Sequence, residues 1–255
     1  MSLYVVLEIN GPVALVTLSR PAVNALDTIL IEQFEASLDA IEANASVSVA
    51  IIHSSMKAFC AGADLGVVEG FLQCSSPSDA MAQYARTVQR LFERIERIPA
   101  ITVCDIRGAA MGGGLELALA TDFRLASSRA KFGLPEAALG LIPAAGGTQR
   151  LARLCGIDVA RRMILTGRIL NADQAQACGL VTEVYPENEH ATKVAAFIAS
   201  LSKQPATALR AAKLCLAHAS PSSTQGFESE VREISDLMGQ NETRQHLQAF
   251  LAKTV

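Results

Sequence analysis

Between Gly108 and Ala120 the sequence reads GAAMGGGLELALA, and Glu116 is the only charged side chain in the stretch. With Leu115, Leu117, Ala118 and Leu119 around it, this carboxyl group is headed for an apolar environment, where an unpaired carboxylate is costly and a fold rarely keeps one without a task. Burial also raises a carboxyl pKa toward neutrality, the range in which a general acid or base works. The three glycines just before it, Gly112–Gly114, let the backbone adopt positive φ and bring bare N–H groups against a ligand. A helix starting there adds the positive end of its dipole, an arrangement suited to a developing oxyanion. The same run also reads as a turn that lets a helix pack closely on a strand.

A second carboxyl group, Glu136, follows Phe132-Gly133-Leu134-Pro135. Its position could serve chemistry or simply be an acidic residue in the first turn of a short helix after proline. The segment SSMKAFCAGADL, Ser54–Leu65, is another small-residue loop able to present backbone N–H groups, and a tight structural turn would read the same. Other chemistries lack their spacing. There is no G-x-x-x-x-G-K-[ST], no G-x-G-x-x-G after a strand, no G-x-S-x-G and no H-E-x-x-H. His53, His190, His218 and His246 are scattered, so no metal site is predicted.

These groups need a scaffold. A chain of 255 residues, 50% of them hydrophobic, has ample material for a packed core. Two short β-rich runs, Leu3–Ile9 and Val13–Leu18, flank an Asn10-Gly11-Pro12 turn like a hairpin. Asp27 is placed to cap a helix whose Leu30, Phe34, Leu38 and Ile41 share one face. Val47–His53 reads as a buried strand leading into the loop from Ser54 to Gly62. A turn at Ser75–Asp79 starts an amphipathic helix carrying Met81, Tyr84, Val88, Leu91, Phe92 and Ile95 and stopping before Pro99. Then Ile101–Ile106 is strand-like, Gly108–Gly114 a glycine turn, and Leu115–Ala120 helix-forming. Short strands are expected at Phe123–Ala126 and Ala130–Phe132. The pattern turns helical from Gly156, with Asn171 and Gln174 spaced as a capping box, Gly179 as a stop and a brief strand at Leu180–Val184. Pro205 begins a helix to His218, and two more are expected at Phe227–Met238 and Glu242–Ala252. The sum is an α/β body over residues 1–195 and a helical region over 196–255 suited to subunit contacts.

The net charge of −3 leaves no basic surplus, so a nucleic-acid partner is not expected. Six cysteines without a C-x2-C pair read as free, mostly buried thiols. The N-terminus lacks the features of a signal peptide, and no apolar run is long enough for a membrane span, which together point to a cytoplasmic protein.

Taken together, KAFCAGADL (57–65), GAAMGGGLELALATDFRLAS (108–127), KFGLPEAALGLIPAAGGTQRL (131–151) and LTGRILNADQAQACGLV (165–181) resemble the enoyl-CoA hydratase/isomerase, or crotonase, family along nearly the whole chain. The resemblance implies a spiral of repeated ββα units with a C-terminal helical subdomain, assembled as a homotrimer or a hexamer made of two trimers. It implies an acyl-CoA thioester substrate, with coenzyme A as part of that substrate and no permanently bound cofactor. By motif, the N–H groups of Ala63 and Gly113 would hold the thioester oxygen. Glu116 would activate water for attack at C3, and Glu136 would deliver a proton to C2. Having both carboxylates favours hydration over the isomerase reading, in which one glutamate shuttles a proton. A non-catalytic RNA-binding or scaffold role is the reading from another class. Arg20-Pro21-Ala22-Val23-Asn24-Ala25-Leu26 resembles the family's segment near the CoA adenine, which assigns Arg20, Ala22 and Ala61 to CoA contacts. Ala144 stands where many hydratases have glycine near the catalytic water. It keeps the N–H, and its methyl group narrows the site.

Overall fold

The computed structural model describes residues 3–218. Its centre is a six-stranded sheet in the order β1-β2-β3-β4-β6-β9. The strands are β1 (Val5–Asn10), β2 (Val13–Leu18), β3 (Val49–Ser54), β4 (Ile101–Ile106), β6 (Phe123–Ser127) and β9 (Glu183–Tyr185). The β1–β2 hairpin is antiparallel and every later neighbour is parallel. A parallel sheet must be covered on both faces. All six residues of β4 are accordingly buried. Ala50, Ile52, Cys104 and Ile106 face the main core, which contains Phe34 and Phe92. The alternate residues Val49, Val103 and Leu125 meet Val194 and Ile198 on the other side. Each fully buried side chain of this size contributes about 1.5–3 kcal/mol.

A second, three-stranded sheet, β5-β7-β8, comprises β5 (Ala109–Met111), β7 (Lys131–Gly133) and β8 (Leu170–Asn171). It is joined by an isolated bridge between Cys60 and Ala110. The chain thus gives a strand to the large sheet, a shorter extended piece to the small one, then helices, and repeats. This mixed α/β spiral was expected; β5 and β8, hidden in a glycine run and a turn, were not.

The helices follow their caps. In α1 (Thr28–Ala43) the Asp27 carboxylate accepts from Leu30 N–H at 2.8 Å, and Leu30, Phe34, Leu38 and Ile41 are buried. In α3 (Pro77–Arg97) the inner face is Val88, Leu91, Phe92 and Ile95, and Arg94 reaches across to Asp39 and Glu42 of α1 at 2.5 and 2.6 Å. The Asn171–Gln174 capping box opens α7 (Ala172–Ala177). Two helices lie where none was expected. One is α2 (Leu65–Phe71), capped by Asp64, and the other is α5 (Gly147–Cys155), which precedes α6 (Ile157–Leu165). The strand expected at Leu180–Val184 is shifted to Glu183–Tyr185, while Leu180 and Val181 enter the core as a turn. α4 (Gly113–Leu119) starts within the glycine run.

The boundary drawn after residue 195 between the α/β body and the helical region lies within α8 (His190–Ser202), which is followed by α9 (Ala206–Ala217). The helices expected at Phe227–Met238 and Glu242–Ala252 lie outside the described residues. The cysteines correct one expectation: only Cys60 and Cys104 are buried, Cys74 is exposed, and Cys155, Cys178 and Cys215 lie between. Among the described residues no helix is long and apolar enough to cross a membrane.

Candidate active site

The loop after β3 is tied down before it reaches the site. Ser54 Oγ donates to the Ala58 carbonyl at 2.6 Å, and Asn24 Nδ2 donates to Ser54 Oγ at 2.7 Å and to the Phe59 carbonyl at 2.9 Å. Phe59 N–H then bonds Ala109, and Met111 N–H bonds Cys60, docking the loop on β5. Gly62 follows with φ of 94°, and a Cβ there would lie 2.8 Å from the Gly113 nitrogen, so a left-handed turn and a close approach coincide at one residue. Close approach recurs at Gly114, where a Cβ would fall 2.1 Å from the Cys60 carbonyl oxygen. The oxyanion and the close-packing readings of the glycine run are therefore not exclusive. Its last glycine is there for packing, while Gly113 faces the cavity.

Ala63 pairs with Leu26 in a parallel bridge. That bridge uses the Gly62 carbonyl and the Asp64 N–H, at 2.7 and 3.1 Å from Leu26 atoms, so the Ala63 N–H points to the opposite side. Gly113, as the first residue of α4, has an N–H outside the intrahelical ladder. A Cβ on Gly113 would lie 3.6 Å from the Ala63 nitrogen, which puts the two amides beside the same space.

Both residues line a cavity of about 130 Å³ that also receives Glu116 and Glu136. Glu116, 3% exposed, sits on α4. Its Oε1 accepts from Ala145 N–H at 2.8 Å and Gly147 N–H at 2.7 Å. Burial pushes its pKa up to about 7; the Gly147 N–H opposes this, Glu136 adds to it, and Ala145 and Arg150 oppose it. Glu136 begins a 3-10 turn, Glu136–Leu139. Burial raises its pKa too, and its Oε2 is buried without a hydrogen-bond partner. The site thus holds two carboxyl groups whose pKa values burial raises, Glu116 to about 7, and two amides able to receive negative charge.

The remaining wall is apolar, with Leu65 and Val68 of α2, Met81, Tyr84 and Val88 of α3, Leu139 at the end of the 3-10 turn and Ile142 beyond it. Among the described residues no cationic side chain lines it. The Tyr84 hydroxyl is already engaged, donating to the Leu26 carbonyl at 2.8 Å.

Of the positions singled out in the sequence, Glu116, Glu136, Ala63, Gly113, Ala144 and Ala61 come together here. Ala144 lines the cavity, and its carbonyl accepts from Gln89 Nε2 at 2.6 Å. Arg20 and Ala22 do not line it. Arg20 instead pairs with Asp27 at 2.8 Å and Asp64 at 2.6 Å, and Ala22 is exposed. Sequence reasoning missed Ala145 and Gly147, the amides that hold Glu116, and Tyr84 as a wall residue with a fixed hydroxyl. The Pro-Ala-Ala-Gly-Gly run at 143–147 was the available signal for the first two.

Comparison with known proteins gives a consistent picture. The family model described as enoyl-CoA hydratase/isomerase matches residues 8–255. The 2,3-dehydroadipyl-CoA hydratase of Escherichia coli is 36% identical over 94% of this chain and 92% of its own. The short-chain-enoyl-CoA hydratase of Clostridium acetobutylicum is 36% identical over 72% of this chain and 70% of its own. The crystal structure of an enoyl-CoA hydratase from Bacillus anthracis superposes with a TM-score of 0.91 at 30% identity, covering 98% of this chain and 97% of that one.

Proposed function

The chain belongs to the enoyl-CoA hydratase/isomerase family, and on that footing we propose that it hydrates the 2,3 double bond of a 2-enoyl-CoA thioester to give a 3-hydroxyacyl-CoA. The observation that carries this reading is the pair of buried carboxyl groups, Glu116 and Glu136, in one cavity with the amides of Ala63 and Gly113. The thioester oxygen accepts from those two N–H groups, which draws electron density from the conjugated double bond and leaves C3 electrophilic. Glu116, as carboxylate, takes a proton from water as the water oxygen bonds to C3. Its Oε1 is held by Ala145 and Gly147, which fixes the carboxylate while the other oxygen receives the proton. Negative charge moves to the thioester oxygen and returns when Glu136, as carboxylic acid, gives its proton to C2. One proton gained by Glu116 and one lost by Glu136 balance the addition of one water, and transfer of a proton between them resets the site.

Coenzyme A enters as part of the substrate, and the chemistry calls on no other group. The apolar wall favours a hydrocarbon acyl chain. A homotrimer or hexamer and a cytoplasmic location belong to the same proposal, the first checked by light scattering. The test of function is loss of the conjugated-thioester absorbance of crotonyl-CoA, with the product identified by mass. Formation of the 3-hydroxyacyl thioester supports hydration; a shifted double bond without added water would make the enzyme an isomerase, and no turnover across a panel of acyl-CoAs would leave the non-catalytic role.

A further inference from the structure

The Arg20–Leu26 segment lies beside the loop that carries Ala63, and three backbone bonds join them. Ala61 N–H reaches the Val23 carbonyl at 2.9 Å, Leu26 N–H the Gly62 carbonyl at 2.7 Å, and Asp64 N–H the Leu26 carbonyl at 3.1 Å. Arg20 closes this arrangement. Its Nε donates to Asp27 Oδ2 at 2.8 Å and its Nη2 to Asp64 Oδ2 at 2.6 Å. Asp27 and Asp64 directly follow Leu26 and Ala63, the two partners of the parallel bridge. The guanidinium therefore pins both strands at the same level, one residue beyond the amide that faces the cavity.

Each of these carboxylates divides its two oxygens. Asp27 Oδ1 caps α1 through Leu30 N–H, and Asp64 Oδ1 caps α2 through Gly66 and Val67 N–H at 2.8 and 3.1 Å, leaving the Oδ2 atoms to Arg20. The side chains are 13–19% exposed, so solvent screens these pairs less than it would a surface pair. From the other side, Tyr84 donates to the Leu26 carbonyl, the same oxygen that accepts from Asp64 N–H.

We propose that Arg20 is a positioning residue: by bridging Asp27 and Asp64 it fixes the direction of the Ala63 N–H, and so how strongly a bound thioester carbonyl is polarised, with Tyr84 acting on the same amide through Leu26. The inference rests on the reading of Ala63 as a donor to the thioester oxygen. Its physical basis is that a hydrogen bond weakens steeply as its angle bends, and that a donor aimed at a developing oxyanion is worth about 100- to 1,000-fold in rate. Loosening such a donor without removing it should cost about tenfold. A lysine at position 20 offers a point charge in place of a fork and keeps one of the two pairs.

The test uses the full chain with Arg20→Met, Arg20→Lys and Tyr84→Phe. It measures kcat and KM for crotonyl-CoA, melting temperature, and the shift in the absorption maximum of a bound conjugated acyl-CoA. The expected result for Arg20→Met is a kcat lower by about tenfold, KM changed by less than about twofold, and a smaller spectral shift. Arg20→Lys should lie between the two and Tyr84→Phe should move in the same direction. Should Arg20→Met fail to fold, the other two variants carry the same comparison. A raised KM with kcat retained would make Arg20 a CoA contact and overturn the proposal. A lower melting temperature with unchanged kcat and shift would make the brace purely structural and overturn it equally. Because the spectral shift needs no turnover, the two readings separate. A wild type that binds the thioester without a shift sinks the Ala63 assignment and this inference with it, whereas a shift that survives in all three variants sinks only the inference.

Discussion

Glu116 and Gly147 approach each other so closely that Glu116 Oε1 accepts from the Gly147 N–H at 2.7 Å, and a Cβ built on the glycine would stand 2.9 Å from both that oxygen and Glu116 Cγ. The carboxyl group is held by the main chain of the turn entering α5, and the turn can come that close only without a side chain.

Gly147→Ala should therefore displace Glu116 while leaving its chemistry intact. Misplacing a catalytic group by about an ångström costs on the order of 100-fold, so kcat should fall to that extent with a much smaller change in KM. Steady-state kinetics alongside a melting curve give the answer, and a folded variant with normal kcat would mean that Glu116 tolerates displacement.

Glu116→Gln should remove the rise in activity through the pH region near 7, since the Glu116 pKa is pushed up to about 7 by burial, and a base must be deprotonated to act. The residual rate should be lower by about 100- to 10,000-fold. The same pKa has a consequence for stability. The folded state binds this proton more tightly than the unfolded chain, so the carboxyl group costs nothing at acid pH and destabilises progressively as pH rises from the ordinary value of 4.5 to about 7. The full effect is about 3 kcal/mol. Gln has no such titration, so the difference in unfolding free energy between variant and wild type should grow over that window in favour of the variant. Denaturant melts at pH 5 and pH 8 measure it, and a constant difference would contradict the raised pKa.

Under the proposed hydration, Glu136→Gln should slow turnover by about 100- to 10,000-fold with little loss of thioester binding, because an amide cannot supply a proton to C2. Binding of a saturated acyl-CoA by calorimetry separates the two effects. Loss of binding with normal turnover at saturation would assign Glu136 to recognition instead.

Much of the site was legible because its signals are local. One charge among leucines and alanines predicts burial, and Glu116 is 3% exposed. What sets that charge in place was not legible: its partners Ala145 and Gly147 lie 29 and 31 residues away, and no periodicity links a carboxylate to a distant amide. Arg20 illustrates the same limit. Its place in the motif assigned it to CoA contacts, and nothing in the motif announces its acidic partners, 7 and 44 residues distant, which only the fold brings together. Among the elements, α1 and α3 were readable because each buries several apolar residues at helical spacing. α2 was not, since none of its seven residues is buried, and α5 buries only Gly147 and Leu151. β5 and β8 have three and two residues, too few for alternation to register.

Arg124 offers a stability test away from the chemistry. It is 6% exposed within the core, and it donates to the carbonyls of Leu180 at 2.8 Å and Thr121 at 2.5 Å, tying β6 to the end of α4 and to the turn before β9. Arg124→Met leaves those carbonyls without their donor, and unfolding free energy should fall by about 3–5 kcal/mol. Chemical denaturation would show it; a loss under about 1 kcal/mol would mean that water replaces the guanidinium.

The cavity wall sets the last expectation. With Met81, Tyr84, Val88 and Ile142 around the space and no lining cation among the described residues, a terminal carboxylate on the acyl chain would be desolvated without a partner. A six-carbon 2-enoyl-CoA with a methyl end should be used at least about tenfold more efficiently than its counterpart ending in a carboxylate. Competition between the two, followed by mass, decides it, and a preference for the charged chain would require a cation that the described residues do not supply.

Successive turns of the spiral each contribute something to one small space. The stretch after β3 brings Ala63, the next turn brings Gly113 and Glu116, and the third brings Glu136 and the amides of Ala145 and Gly147. A half-wound chain therefore has no fraction of this site to offer, and a Glu116 carboxyl not yet covered by the third turn should titrate in the ordinary carboxylate range. The titration of that one side chain is a built-in gauge of assembly: followed by a spectroscopic label during refolding, its passage from the ordinary range to about 7 would time the moment at which the last piece of the spiral docks.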